Sequence, residues 1–199
     1  VHLLWHIPCG LIDRRYSPKI KDATPGVIAT ITVQIEKHQK PPNKRVPYKI
    51  ICSDETGSLN IVFFHAHQEY LRKILPVGET RVISGQIETF GDKLQMPHPD
   101  HVVPLNKLEK IMVIEPLYSL TTGLTMKVLG RAIGEALKEV PNLPEWADPT
   151  FVEHQRWPSW REAVLKAHTP INHSDLKPNA PALCRLAYDE LLSNQVALA

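Results

Sequence analysis

Ser53-Asp54-Glu55-Thr56-Gly57-Ser58-Leu59-Asn60-Ile61-Val62-Phe63-Phe64 is the stretch from which the rest of the chain can be read. A polar turn closes at Gly57, and a short strand follows it and ends in two aromatics. Side chains alternate across a strand. Leu59, Ile61 and Phe63 therefore share one face, wholly apolar and suited to a core. Asn60, Val62 and Phe64 share the other, which is mixed and suits a partly wet surface. Phe64 is the aromatic expected to project toward a partner, and Phe63 the one expected to be buried.

Upstream of this strand, residues 27–37 alternate, with Val27, Ala29, Ile31, Val33 and Ile35 on one side and Thr30, Thr32, Gln34 and Glu36 on the other. That is the pattern of a half-buried strand. Val46 to Cys52 forms a second strand, joined to the first by a basic loop, Lys37 to Arg45, that contains Pro41 and Pro42. Downstream, His67 to Leu75 has helical spacing. A fourth strand is expected over 81–89 with a bend at Gly85, then a tight turn at Phe90-Gly91-Asp92 and a fifth strand over 93–96. The order of three strands, a short helix and two strands matches the five-stranded Greek-key barrel called the OB-fold. The fold class expected is therefore mainly β, an OB-fold barrel followed by a smaller helical segment.

The flanks divide the chain. Residues 1–25 read as a lead-in, with 1–12 the tail of a helix running into a turn. Residues 26–103 form the barrel. Residues 104–199 begin with a linker over 104–123 and continue as helices. Thr125 caps a helix to about Val140 with Val128, Leu129, Ala132, Ile133, Ala136 and Leu137 as its apolar stripe. Residues 141–157 are Pro-rich loop. Ser159 to Glu162 is a capping box, and a last helix starts near Pro181.

Composition narrows the function classes. With 43% hydrophobic residues among 199, a folded core is possible, and 18 prolines favour short elements. Net charge is only +2, but residues 1–110 carry 15 Lys/Arg against 11 Asp/Glu, so the basic excess lies in the first half. The three cysteines form no CxxC, which argues against a disulfide framework or zinc ribbon and suits a reducing compartment. No run of about 18 apolar residues is present, and neither a membrane span nor a signal peptide is expected. The chain opens at Val1 within an apolar segment, so a piece of a longer protein is expected.

Phe64, Phe63 and Tyr70 are candidate base stackers, and Lys37, Lys40, Lys44, Arg45 and Lys49 candidate phosphate contacts, because OB-folds hold single strands by stacking and a positive groove. From residue types alone, a second reading stands equally: two core phenylalanines and a solvated loop tip. His98 and His101, and His65 and His67, lack a third zinc ligand, and surface histidines with local hydrogen bonds are expected instead. No GxxxxGK[ST], GxSxG or HExxH sequence occurs, so no catalytic or metal site is expected in the chain. Asp13-Arg14-Arg15 reads as an ion-paired turn, with anchorage to the barrel or to a phosphate as the other reading.

Five segments, in this order, resemble ATP-dependent DNA helicases of the RecG family. They are His6-Ile7-Pro8 with Asp13-Arg14-Arg15; Ser53 to Leu59 followed by Phe63-Phe64; Met96 to Asp100; Pro116-Leu117-Tyr118 with Thr122-Gly123-Leu124; and Arg185 to Leu192. The resemblance covers almost the whole chain. Glu55 stands where the family usually has Gly, and His65-Ala66-His67 replaces its more common Asn-containing segment. The resemblance implies a wedge that binds branched DNA, stalled forks and four-way junctions, and splits strands at the branch during fork regression, recombination and repair. It implies stacking by Phe64 with Phe63 beside it, and Tyr70 is the nearest place for a second stacker. It implies helicase domains in the same polypeptide, which use ATP and Mg²⁺; the chain itself, ending at Ala199 before any Walker motif, is expected to carry no cofactor and no catalysis. A monomer in the bacterial cytoplasm, associated with the nucleoid, is expected. The alternative is an OB-fold interaction module that docks protein or RNA.

Overall fold

The computed structural model describes residues 2–41, 43, 46–64 and 67–199. Candidate residues Lys44 and Arg45, and His65 and Ala66, lie outside the described residues. In chain order the elements are β1 (Gly10–Asp13), β2 (Ile28–Gln39), β3 (Tyr48–Ser53), β4 (Ser58–Phe63), α1 (Gln68–Ile74), β5 (Thr80–Gln86), β6 (Glu88–Phe90), β7 (Lys93–Pro97) and β8 (His101–Pro104). They continue with α2 (Leu108–Ile111), β9 (Ile114–Leu117), α3 (Met126–Lys138), α4 (Pro149–His154), α5 (Trp160–His168) and α6 (Pro181–Leu198). The chain is mixed α/β and folds as two units, 13–113 and 1–12 with 114–199.

The unit 13–113 is one sheet of seven strands in the order β6-β7-β4-β3-β2-β5-β8. Two strands exceed the expected five. The strand expected over 81–89 is two, β5 and β6, because the buried Ile87 breaks the run after Gln86. β8 was unforeseen; it pairs with β5 through Val82↔Val103 and Ile83↔Val102 and covers an edge otherwise open. The sheet is therefore larger than the five strands expected, with β6 and β8 added at its two ends. All neighbours are antiparallel except β4 and β7, which are parallel. The core is the inward row of each strand: Ile31, Val33 and Ile35 of β2, Ile50 and Cys52 of β3, Leu59 and Ile61 of β4, with Leu71 and Leu75 of the α1 segment. Burial pushes the Cys52 thiol up to about 12, which keeps it protonated and inert.

The Asp54 turn that sets β3 against β4 is held by one carboxylate. Its Oδ1 accepts from the Thr56 amide (2.7 Å), the Thr56 hydroxyl (2.6 Å) and the Gly57 amide (3.0 Å), and Oδ2 accepts from the Ile20 amide (2.8 Å). Burial works to raise this carboxyl, but the hydrogen bonds outweigh it and hold it low. Glu55 fits because it points to solvent, where it pairs with Lys19.

Arg14 is an anchor within this unit and Arg15 is the surface residue. The Arg14 guanidinium is buried and donates to Ser84 Oγ (3.1 Å) and Asp100 Oδ2 (3.0 Å). Thr30 donates its hydroxyl to the Arg14 carbonyl at 2.8 Å. Thr30, expected on a wet face, is buried for this reason. Arg15 instead makes an exposed pair with Asp13.

The second unit joins the first twelve residues to the helical segment. Residues 2–5 form a single 3₁₀ turn and β1 pairs with β9, so neither the expected helix tail nor an unbroken linker over 104–123 is present. The Cys9 amide donates to the Leu117 carbonyl at 2.8 Å. His168 is buried with both ring nitrogens bonded: Nε2–H donates to the Leu4 carbonyl (3.0 Å) and Nδ1 accepts from the Tyr118 hydroxyl (3.1 Å). The N-caps fall where expected, at Thr125 and at the Ser159–Glu162 capping box. The α3 stripe is narrower than its pattern: Leu129 and Ile133 pack with Tyr118, Met126 and Leu137, while Val128 and Ala132 face solvent. A short helix, α4, interrupts the expected loop over 141–157, capped by Asp148 with Pro149 in its first turn. Among the described residues no helix is long and apolar enough to cross a membrane.

Candidate nucleic-acid interface

The alternation of β4 separates the two phenylalanines. Phe63 pairs with Tyr48 across the sheet and packs partly buried against the core. Phe64, one residue on, is 61% exposed. Val62, on the Phe64 side, is nonetheless buried where β4 lies between Lys49 of β3 and Pro97 of β7.

His98 locks this pair in place. Its Nε2 accepts the Phe64 amide hydrogen at 3.1 Å, and its own amide donates to the Val62 carbonyl at 2.9 Å. Its ring stacks on Phe64, with centroids 5.4 Å apart and planes at 29°, and meets Phe63 edge-on at 5.5 Å and 84°. To reach this position the backbone of His98 turns to φ 43°, a region sparsely populated by residues with a Cβ. The neutral ring must carry its proton on Nδ1 if Nε2 is to accept. A stacked aromatic pair contributes roughly 0.5–1.5 kcal/mol beyond the area it buries. Phe64 is thus a braced, protruding ring rather than a loose one.

A bulge in β2 puts Lys37 on the same side of the sheet as Lys49. Ile35 pairs with Cys52, but Lys37 pairs with Ile51, so Glu36 is an extra residue on β2. Without it Lys37 would follow Ile35 into the core. With it, Lys37 is exposed beside β3, and His38 turns inward, where Nε2–H donates to the Leu75 carbonyl (2.7 Å) and Nδ1 accepts from Tyr48 (2.9 Å). Lys49 is opposite Val62, on the Phe64 side of β4. Its ammonium is 5.6 Å from the centre of the Phe90 ring. Lys40 is exposed just beyond β2. Tyr70 is exposed on α1, and among the described ring contacts it packs on neither Phe64 nor His98.

Sequence reading missed His98 and Phe90. His98 stood out only as half of a histidine pair, and Phe90 as part of a turn. Among the described residues no group of three His, Cys, Asp or Glu could hold a metal ion.

The model of the RecG wedge domain matches residues 1–140. The chain belongs to the RecG wedge domain family. Its relatives include the ATP-dependent DNA helicase RecG of Acidithiobacillus ferridurans, 26% identical over 197 residues that cover 98% of this chain and 28% of that protein. The RecG of Aquifex aeolicus (strain VF5) is 22% identical over 211 residues, covering 98% of this chain and 26% of that protein. The chain therefore spans under a third of the length of the curated relatives it matches. A solved structure of RecG bound to a three-way DNA junction superposes with a TM-score of 0.74 at 23% identity, over 98% of this chain and 27% of that one. The fold is shared with that RecG along essentially the whole chain.

Proposed function

We propose that this chain is the DNA-engaging wedge of a RecG-type ATP-dependent helicase, that it binds branched DNA, and that it parts the strands at the branch during fork regression, recombination and repair. The observation that carries the reading is the protruding Phe64, braced by His98 on a face that also presents Lys37 and Lys49. An unpaired base at a junction offers a free π-face, and stacking is worth about 1–3 kcal/mol per base without regard to sequence. Phe64 is the primary stacker, Phe63 its support and Tyr70 a flanking contact. Lys37, Lys40 and Lys49, with Lys44 and Arg45, follow the phosphates. Kinship with a RecG solved on a three-way DNA junction supports the choice of branched DNA.

We read β2, β3, β4, β5 and β7 as the five strands of an OB-fold barrel. The parallel β4–β7 pair supports this, as does the tight approach of Gly85 in β5 to Met96 and Pro99. The exposed apolar residues Leu191, Val196 and Leu198 of α6 support docking of this helix on the helicase domains, which use ATP and Mg²⁺. The wedge itself takes no cofactor, acts as a monomer and works in the bacterial cytoplasm at the nucleoid.

Fluorescence anisotropy with a fork, a plain duplex and a single strand tests the reading, with wild type beside Phe64→Ala. The fork is expected to bind best and Phe64→Ala to lose about 1–3 kcal/mol with its fold intact. Equal binding of all three DNAs, or a Phe64→Ala variant that binds as wild type, overturns it. Binding that ignores salt would favour a protein-docking module instead, since phosphate contacts weaken steeply with salt, and structured RNA that outcompetes the fork would favour an RNA module.

A further inference from the structure

The DNA-binding reading accounts for Phe64 but leaves a second exposed aromatic unused. Phe90 ends β6 and is 70% exposed, more than Phe64. Its ring has the Lys49 ammonium 5.6 Å from its centre and otherwise stands open at a hairpin tip.

The register puts Phe90 on the same side of the sheet as the residues beside Phe64. Phe90 pairs with Lys93, and Gln95, two residues on, pairs with Asn60. Residues two apart share a face, so Phe90, Lys93, Gln95 and Asn60 line up with Val62. Lys49 then links the two aromatics: it sits opposite Val62, two residues before Phe64, and its ammonium reaches the Phe90 ring. Lys37 lies beside it, opposite Ile51. The acid on this side, Glu88, is partly occupied by the Gln95 amide at 3.3 Å; Asp92 follows in the turn. Lys49 and Lys93 flank an open ring, and Lys37 continues the basic face beyond Lys49. A base has a π-face and its phosphates are negative, so a nucleotide satisfies both features at once.

We propose that Phe90, with Lys49 and Lys93 around it and Lys37 further along the same face, is a second nucleotide-stacking subsite, and that it holds an unpaired DNA strand leading away from Phe64. The inference rests on the DNA-binding reading above. Phe64 engages the branch, and Phe90 engages a single-stranded arm further along the same face. Lys49 shifts from the ring to a phosphate when the arm binds.

The test compares two forks by anisotropy, one with a ten-nucleotide unpaired arm and one with both arms duplex. Phe90→Ala is expected to weaken binding of the first about tenfold and to leave the second unchanged, while Phe64→Ala weakens both. Phe90→Tyr retains the π-face and is expected to restore binding. Lys49→Met should reduce the salt slope by about one for the unpaired arm. Circular dichroism verifies that the variants fold. If wild type binds the forks and Phe90→Ala binds the unpaired arm as well as wild type does, the second subsite is refuted while the branch reading survives. If Phe90→Ala weakens both forks equally, Phe90 belongs to the branch site and the proposal also fails. If wild type binds neither fork, both readings fall together.

Discussion

Replacing Arg185 with Met should cost the helical unit about 3 kcal/mol. The Arg185 guanidinium is fully buried and makes three charge-assisted bonds of 2.8 Å, two to Glu145 and one to Asp189 Oδ2. Trp146 caps the assembly, with its indole N–H on Asp189 Oδ1 at 3.0 Å and its ring 5.3 Å from the guanidinium carbon. Removing one member of a buried pair costs about 3–5 kcal/mol, because a charge is stranded without its partner. Glu145, 30% exposed, can turn back to water, while Asp189, 6% exposed, keeps only the indole. That asymmetry places the loss at the lower end of the range. All four tryptophans, Trp5, Trp146, Trp157 and Trp160, belong to this unit, so their emission reads its unfolding in urea or heat. In a unit of roughly a hundred residues the midpoint should fall by about 12 °C or more. Adding Asp189→Asn should return part of the loss, since the stranded charge is its source. A midpoint that moves by less than about 2 °C, or a double variant no better than the single, would refute the reasoning.

The Glu145 carboxyl is held at about 2, mainly by its hydrogen bonds from Arg185, against an ordinary value of 4.5. Its contribution is complete above the ordinary value and lost as pH falls from there toward 2, so Arg185→Met should flatten the acid limb of the urea midpoint between pH 5 and 3; an unchanged limb would count against the pair. His168 gives the second pH effect. Burial pushes it below its ordinary 6.5, the bond to the Leu4 carbonyl opposes this, and the nearby His6 adds to it. The folded unit keeps it neutral while the unfolded chain takes the proton, so stability is fully present above 6.5 and falls as pH drops through that value. The tryptophan-monitored midpoint should be lower at pH 5.5 than at 7.5, with the difference shrinking in His168→Gln; equal wild-type midpoints would sink the assignment. Glycine substitutions should go opposite ways. A Cβ on Gly85 would stand 3.1 Å from the Pro99 Cα as well as from Met96, so Gly85→Ala should destabilise by about 1–3 kcal/mol. Nothing is within 4 Å of a Cβ on Gly130 in α3, so Gly130→Ala should stabilise by about 1 kcal/mol; thermal melts followed by circular dichroism read both, and the same sign for the two would contradict the packing argument.

Much of the sheet was legible because it rests on alternation, which sequence carries directly. The split of Leu59 and Ile61 from Phe64 needed only period two and the position of the Asp54 turn. The caps at Thr125 and Ser159 were legible for the same local reason. The elements that escaped depend on distant partners. β1 and β9 are four residues each and exist only because Cys9 and Leu117 meet across more than a hundred residues. β8 forms because β5 offers it an edge. Arg14 could not be told from Arg15 by type; the distinction came from Ser84 and Asp100, 70 and 86 residues away.

The candidate interface divides along the same line. Phe64 could be picked from its own strand. Lys37 was picked for its charge, yet its strand parity pointed it into the core, and only the bulge at Glu36 sends it outward. A bulge leaves no mark in alternation except a misfit, here a lysine in an apolar row followed by His38, and that misfit is the signal a reader can look for. His98 sits between two prolines in a left-handed backbone, a combination that residue preferences argue against. It is held there by bonds to Val62 and Phe64, and its ring is spent on bracing a neighbour rather than on chemistry of its own. A strained residue with that local cost and no catalytic partner marks a place where geometry has been fixed in advance. Here the geometry fixed is the angle of one exposed phenylalanine, so the cost of ordering that ring is met before any partner arrives.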